Sequence, residues 1–143
     1  MEILLVEDGL TDARVTIHAL RRTQIHHRLT LVRTVKETLM FLRCEGVFRL
    51  APHPDLLLLD INLPDGSGID ILEAIMGMGP EIANMTVVVL TASDDEGIRR
   101  RCSELEVHDY IKKPVHEDEF MRVMREHKQW LIDSTPMLAG APA

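Results

Sequence analysis

Polar side chains able to bind a metal ion or a phosphate follow four short apolar runs of this sequence. Glu7 and Asp8 follow residues 3–6, Asp60 follows 56–59, Thr91 follows 86–90, and Lys113 comes two positions after 107–111. Carboxylates, a hydroxyl and an ammonium can together hold a divalent cation and receive a phosphoryl group. Such chemistry requires the ends of all four runs to meet in space.

A parallel β-sheet would bring these ends together. The predicted strands are residues 3–6, 29–32, 56–59, 86–90 and 107–111, the last interrupted by His108 and Asp109. Residues 56–59 are four leucines bounded by turn residues, which is typical of a strand buried on both faces. Five predicted helices alternate with the strands, and this alternation favours an α/β fold with a five-stranded, doubly wound parallel sheet of flavodoxin-like type. Ligands bind at the carboxyl ends of strands in such sheets, so Asp60 is placed for chemistry.

The predicted helices carry apolar stripes and recognisable start and stop signals. Their stripes contain Leu10, Ala13, Ile17 and Leu20; Val35, Leu39 and Leu42; Ile69, Leu72 and Ile75; Ile98, Cys102 and Leu105; and Phe120, Val123, His127 and Leu131. Ser67 is the predicted N-cap of the third helix, which ends at Gly77, Gly79 and Pro80. Ser93 and Asp94 open the fourth helix, and the fifth spans 117–132. Residues 45–54 and 64–68 are predicted to be loops.

Length and composition indicate one soluble domain. The 143 residues carry 16 Lys and Arg against 23 Asp and Glu, a net charge of −7 that argues against general nucleic-acid binding. Two distant cysteines suggest neither a disulfide framework nor a zinc site. The sequence shows no signal peptide and no apolar stretch of the roughly 20 residues that cross a bilayer, so we expect a cytoplasmic protein that does not enter a membrane. Residues 1–133 are the predicted domain, and 134–143 a flexible C-terminal tail.

Three carboxylates brought within a few ångströms would repel one another unless a cation lay between them. Magnesium is favoured over calcium because few protein ligands are present, which leaves room for water and a phosphoryl oxygen. Asp8 and Asp60 are the predicted side-chain ligands of Mg²⁺, and Glu7 would bind through water.

An aspartate beside a bound metal can act as a nucleophile toward phosphorus. Asp60 would form an acyl phosphate, while Mg²⁺ and Lys113 would neutralise the charge on the transferred oxygens. Thr91 would donate a hydrogen bond to the new phosphoryl group.

Four motifs resemble the receiver domain of bacterial two-component response regulators. They are Leu-Leu-Val-Glu-Asp at 4–8, Leu-Leu-Leu-Asp-Ile-Asn-Leu-Pro-Asp-Gly-Ser-Gly at 57–68, Val-Leu-Thr-Ala-Ser at 89–93 and Tyr-Ile-Lys-Lys-Pro at 110–114. The resemblance implies that Asp60 takes its phosphate from a histidine of a sensor kinase and signals by conformational switching to a partner. It also implies that the backbone carbonyl of Asn62 completes the metal site, that Lys113 is the family's lysine because it precedes Pro114, and that Tyr110 is the switch aromatic.

The resemblance narrows further to a stand-alone receiver without a DNA-binding output domain. The loop at 45–54 and the closing Trp130-Leu131 are similar to the small regulators that partner phytochrome-type sensor kinases. Homodimerisation through the C-terminal half is an accompanying expectation, and Asn62 and Ser93 are expected to tune hydrolysis of the phosphoryl group. Val107, His108 and Asp109 depart from the Gly-Ala of many receivers, which affects local packing and any partner surface there.

Two other functions use related residues. A phosphatase with an aspartyl nucleophile needs a second acid two residues after that nucleophile, and Asn62 stands at this position. A pseudo-receiver would serve as a binding scaffold without accepting phosphate. We therefore expect a phosphoacceptor signalling module that assists its own phosphotransfer and slow autodephosphorylation, and that is otherwise not an enzyme.

Overall fold

The computed structural model describes residues 1–92 and 95–127. Its strands are β1 (Glu2–Val6), β2 (Arg28–Val32), β3 (Leu56–Asp60), β4 (Asn62–Leu63), β5 (Gly66–Ser67), β6 (Thr86–Thr91) and β7 (Asp109–Lys112). Five of them form one parallel sheet in the order β2-β1-β3-β6-β7, and β4 pairs with β5 in a small antiparallel ladder. The predicted five-stranded, doubly wound sheet of flavodoxin-like type is confirmed.

Helices cover both faces of this sheet. They are α1 (Leu10–Arg22), α2 (Val35–Leu42), α3 (Gly68–Met76), α4 (Pro80–Ala83), α5 (Glu96–Glu104) and α6 (Glu117–Glu126), with a 3₁₀ turn at Gly46–Phe48. None of the helices in residues 1–92 and 95–127 has the length and apolar character needed to cross a membrane.

The four leucines of β3 divide the core into two halves. Leu56 and Leu58 pack with residues of α1 and α6, whereas Leu57 and Leu59 pack with residues of α2, α3 and α5. Each of these leucines is at most 1% exposed. Burying such a side chain contributes about 1.5–3 kcal/mol, so β3 is fixed firmly at the centre of the sheet. A continuous apolar run is what a strand with two covered faces requires.

Two connections contain more regular structure than the sequence predicted. The segment 64–68, expected to be entirely loop, includes β5, because only Pro64 and Asp65 separate the two short strands of the ladder. Pro80, expected only to end the third helix, also starts the four-residue helix α4, where it occupies the first turn. Proline is well suited to that position because it lacks an N–H that would be left unpaired.

The last two helices differ from prediction at their ends. Asp95 caps α5 by accepting a hydrogen bond from Ile98 N at 3.0 Å, while the predicted opening residues Ser93 and Asp94 lie outside the described residues. Within the described residues helix α6 spans Glu117–Glu126, followed by His127 as its C-cap. Residues 128–132 and the predicted tail 134–143 also lie outside the described part of the chain.

The last strand begins later than predicted because His108 pairs in an unusual way. Its backbone N–H donates to Val87 O at 3.0 Å, and its ring Nδ1 accepts from Val87 N at 3.0 Å. The side chain thereby completes a ladder position, and regular pairing starts at Asp109 opposite Val88. This is how the structure accommodates a polar residue in place of a small one.

Candidate functional site

Strand register brings the predicted site residues to one edge of the sheet. Val6 pairs with Leu59, so Glu7 and Asp60 follow at adjacent strand ends. Thr91 lies at the end of β6 and pairs with Lys112 on β7. The N–H of Lys113 donates to Thr91 O at 2.8 Å, which fixes the lysine backbone beside this edge.

A glycine holds the backbone next to Asp60 in place. Gly68 N donates to Ile61 O at 2.7 Å, and a Cβ at Gly68 would lie only 2.6 Å from the carbonyl oxygen of Asp60. A side chain at this position would collide with backbone. Ser67 and Asp70 form a capping box at the start of α3, so the helix begins where the close approach requires it.

The ammonium of Lys113 joins the carboxylates. Its Nζ lies 3.2 Å from Asp60 Oδ2, 2.5 Å from Glu7 Oε1 and 3.3 Å from Asp12 Oδ2. The side chains of Glu7, Lys113 and Asp60 are 2%, 11% and 13% exposed, so these three charges interact with little screening by water.

Burial and neighbouring charges shift the pKa values of Glu7 and Lys113. Burial raises the pKa of Glu7; its contact with Lys113 opposes this change, and the nearby carboxylate of Asp60 adds to it. Burial alone would lower the pKa of Lys113, but the contacts with Glu7 and Asp60 outweigh it, so the pKa is raised. The lysine is therefore a permanent cation at neutral pH.

Asp8 points away from this group. Its carboxylate is 47% exposed and lies 3.5 Å from Arg33 Nη2, which also donates to Asp8 O at 2.9 Å. The carboxylate oxygens of Glu7, Asp8 and Asp60 do not all come within 4.8 Å of one another. Lys113 occupies the space between two of the acids, and Arg33 attracts the third. The structure therefore brings Glu7 and Asp60 together but leaves Asp8 at the rim.

Tyr110 rests against α5. Its hydroxyl donates to Arg99 O at 3.1 Å and lies 3.0 Å from Ser103 Oγ, and the Arg99 guanidinium stands 4.7 Å from the ring centroid. Thr91 is half-buried at the end of the neighbouring strand, and Asn62 is exposed on β4. Ser93 is among the residues that the structure does not describe.

The donor atoms at this edge suit a hard divalent cation. Glu7 Oε1 is buried, and within the described residues its nearest cationic partner is the ammonium of Lys113 at 2.5 Å, with no hydrogen bond directed at this oxygen. All other candidate ligands, the carboxylates of Asp8 and Asp60 and the carbonyl of Asn62, are also oxygens. Oxygen-only donor sets with few protein ligands match Mg²⁺.

Two structural carboxylates were not singled out from the sequence. Asp12, which contacts Lys113, looks like an ordinary acid in the first turn of a helix. Asp65 accepts from Val35 N at 2.7 Å and Lys36 N at 3.0 Å, so it binds the start of α2 to the β4–β5 turn. The hydrogen bond from Val35 holds the pKa of Asp65 below its usual range.

A second polar cluster lies at the opposite end of β7. Asp109 accepts from Arg122 Nη1 at 2.9 Å and Nη2 at 3.1 Å, and its Oδ2 lies 3.0 Å from His127 Nε2. Arg122 also donates to Glu126 Oε2 at 2.9 Å, so the guanidinium already neutralises the carboxylates that could bind a metal with His127. The cluster joins α6 to the sheet.

The fold and the site together define a receiver domain of phosphorelay signalling. The chain belongs to the response regulator receiver domain family, whose characteristic pattern matches residues 3–125. It is 35% identical over 130 residues to the response regulator Rcp1 of Synechocystis sp., covering 90% of this chain and 88% of that protein. The family and function expected from the four motifs are thereby confirmed.

Solved structures agree with this assignment. The phosphorylated cyanobacterial phytochrome response regulator RcpA superposes with a TM-score of 0.77 at 33% identity, covering 94% of this chain and 96% of its own. The Mn²⁺-bound form of Rcp1 superposes with a TM-score of 0.75 at 31% identity, covering 93% and 95% of the two chains.

Proposed function

We propose that Asp60 is the phosphoacceptor of this receiver domain and that Lys113 is its catalytic cation. The observation that carries this proposal is the 3.2 Å contact between Lys113 Nζ and Asp60 Oδ2 at the carboxyl edge of the sheet. A half-buried carboxylate with a fixed cation beside it can attack phosphorus while the cation neutralises the charge on the transferred oxygens.

Phosphoryl transfer to Asp60 would form one bond to phosphorus and break another. A carboxylate oxygen of Asp60 forms a bond to phosphorus as the bond from phosphorus to the donor nitrogen or oxygen breaks. The leaving group takes the electron pair, and a donor histidine departs as neutral imidazole. Thr91 lies on the neighbouring strand, and its hydroxyl would donate a hydrogen bond to the new phosphoryl group.

Asp8, Asp60 and the carbonyl of Asn62 would hold Mg²⁺, with Glu7 bound through water. The ion supplies positive charge to the phosphoryl oxygens when it is bound. Rotation of Asp8 away from Arg33 would bring its carboxylate to this group, and the exposed position of Asp8 leaves room for that rotation. The Mn²⁺ form of the related Rcp1 supports a divalent-cation site here.

The signal would leave the site through Thr91 and Tyr110. Movement of Thr91 toward the phosphoryl group would open space beside β6, and Tyr110 could then leave its hydrogen bonds on α5 and turn inward. Those bonds are partly exposed, so each costs only about 0.5–1.5 kcal/mol to exchange.

The phosphodonor would be a sensor histidine kinase of phytochrome type. The relatedness to RcpA, a phytochrome response regulator, supports that partner. Leu10 and Val15 on α1 are 52% and 38% exposed, and a protein donor that docked on this helix would cover them. No separate catalytic turnover is proposed, because Asn62 stands where a phosphatase would need its second acid.

The proposed receiver function also implies domain bounds, a cellular location, residues that tune hydrolysis and a dimer. Residues 1–133 would form the receiver unit with 134–143 as a tail, acting in the cytoplasm without binding DNA directly or entering a membrane. Asn62 and Ser93 would tune slow autodephosphorylation, and the C-terminal half would form a homodimer. Size measurement with and without phosphorylation tests the dimer, and the lifetime of the phosphoryl group in Asn62 and Ser93 variants tests their role.

The central test is phosphorylation of the purified chain. With Mg²⁺ and acetyl phosphate, intact-mass measurement should show one added phosphoryl group, and chelating the metal should abolish it. Asp60→Asn should gain none, whereas Asp55→Asn, at the other end of β3, should gain it normally. An Asp60→Asn protein that is still phosphorylated would refute the assignment.

A further inference from the structure

Lys113 has a third carboxylate partner in addition to Glu7 and Asp60. Lys113 Nζ donates a hydrogen bond to Asp12 Oδ2 at 3.3 Å, so one ammonium contacts three acids. The side chain of Asp12 is 55% exposed, whereas Glu7 and Asp60 are 2% and 13% exposed. Asp12 is thus the most solvent-exposed of the three acids that contact Lys113.

The start of α1 places Asp12 next to the site. Gly9 N donates to Glu7 Oε2 at 3.1 Å, and Ala13 N donates to Gly9 O at 2.9 Å, so the first turn of the helix is joined directly to Glu7. A Cβ at Gly9 would lie 3.7 Å from both Asp12 Oδ2 and Glu7 Oε2. A favourable effect on the helix dipole explains an acid in this turn, but it does not explain the contact with Lys113.

We propose that Asp12 is a positioning residue that restrains Lys113 and selects against small anionic phosphodonors. The inference rests on Asp60 being the phosphoacceptor. In the resting protein Asp12 competes with an arriving phosphoryl group for the ammonium of Lys113. Its exposed charge also repels a free anion. A kinase that docks on the protein supplies its own binding energy and overcomes both effects.

The charges around Lys113 support the proposal that Asp12 selects against small anionic phosphodonors. Among the described residues at this edge, the four carboxylates of Glu7, Asp8, Asp12 and Asp60 would be balanced by Lys113, Arg33 and one divalent cation once it binds. These described groups would then offer no surplus positive charge to a free donor. Removing the charge of Asp12 leaves one positive charge in surplus, and its attraction grows with the negative charge of the donor.

Two small donors of different charge test this proposal with the purified full chain and Mg²⁺. Acetyl phosphate is a dianion near neutral pH and loses acetate as Asp60 forms its bond to phosphorus. Phosphoramidate is a monoanion whose nitrogen is already protonated, so it loses ammonia in the same step. Initial rates are measured by intact mass at several donor concentrations.

We expect Asp12→Asn to accelerate phosphorylation by acetyl phosphate about threefold to tenfold, mainly through a lower half-saturating concentration. The gain with phosphoramidate should be smaller, and added salt should reduce the difference. Asp12→Glu keeps the charge and should retain the slow rate. The control Asp118→Asn removes an exposed acid from the first turn of α6 and should behave as wild type.

Equal acceleration with both donors would overturn selection by charge. A slower Asp12→Asn protein would overturn the competitive role of Asp12, because the residue would then be holding Lys113 in its working position. A wild-type chain that gains no phosphate from either donor would overturn the phosphoacceptor assignment together with this inference.

Discussion

The carbonyl oxygen of Asp60 and the α-carbon of Gly68 lie so close that no side chain fits at residue 68. A Cβ there would be 2.6 Å from that oxygen and 3.0 Å from Ile61 Cα. Both contacts are with backbone, which cannot rotate away as a flexible side chain would. The start of α3 therefore fixes the main chain that carries Asp60, the proposed phosphoacceptor.

Gly68→Ala should lower the free energy of unfolding by about 1–3 kcal/mol, because the backbone near Asp60 must shift to admit the methyl group. Urea denaturation measures this loss, and slower phosphorylation by acetyl phosphate should accompany it. Gly79→Ala is the matched control, since nothing in the described part of the chain lies within 4 Å of a Cβ at that position. Equal stability of the two variants would contradict the steric argument.

Much of this arrangement was predictable from the sequence because it depends on strand patterns. Four leucines before Asp60 indicated a strand with two covered faces, and parallel strands implied that Glu7, Asp60 and Lys113 would converge. The direction of Asp8 was not predictable, because it depends on Arg33, which follows a different strand. Acids are common in the first turn of any helix because they interact favourably with the helix dipole. The contact of Asp12 with Lys113 could therefore be recognised only from the structure.

Asp65 should be a structural residue of the turn between β4 and β5. Asp65→Ala removes acceptors from the N–H groups of Val35 and Lys36 and should lower the free energy of unfolding by about 1 kcal/mol, as loss of a helix cap does. Asp65→Asn keeps an acceptor oxygen and should lose less. Urea denaturation of both variants measures the difference, and an alanine variant as stable as wild type would show that water replaces the aspartate without cost.

Asp109 and Arg122 should stabilise the attachment of α6 to the sheet. Arg122→Ala leaves a carboxylate that is only 14% exposed without its bidentate partner, and the free energy of unfolding should fall by about 1–3 kcal/mol. Arg125→Ala, at an exposed position of the same helix, should have little effect. A comparable loss in both variants would mean that helix propensity, and not the ion pair, is responsible.

The ion pair between Asp109 and Arg122 predicts that the free energy of unfolding depends on pH. Burial alone would raise the pKa of Asp109, but its bonds with Arg122 and His127 outweigh burial and lower that pKa. A carboxyl whose pKa is lower in the folded state stabilises the protein above its unfolded pKa of 3.8 and loses this contribution as the pH falls through the folded value. The stability deficit of Arg122→Ala should therefore persist at neutral pH and shrink only below about pH 4. Urea titrations at several pH values would show whether it does.

Glu7 should destabilise the metal-free protein, because its charge is 2% exposed and one oxygen lacks a directed donor. Glu7→Gln should raise the free energy of unfolding without Mg²⁺ at neutral pH by about 1–2 kcal/mol, because a neutral amide costs less to bury than a carboxylate. Because burial raises the pKa of Glu7, the folded protein binds a proton there before the unfolded chain does. The advantage of glutamine should accordingly shrink as the pH is lowered toward the unfolded value of 4.5.

Bound Mg²⁺ should make wild type more stable than Glu7→Gln. A ligand that binds only the folded state stabilises it by about 1.4 kcal/mol for each tenfold increase in concentration above its dissociation constant. Wild type should gain stability at lower Mg²⁺ concentrations than Glu7→Gln, because the amide offers the metal site one negative charge fewer. Thermal unfolding across a Mg²⁺ titration measures both effects, with the exposed Glu45→Gln as the control that should follow wild type. A Glu7→Gln protein less stable than wild type without metal would show that the contact with Lys113 outweighs the cost of burying Glu7.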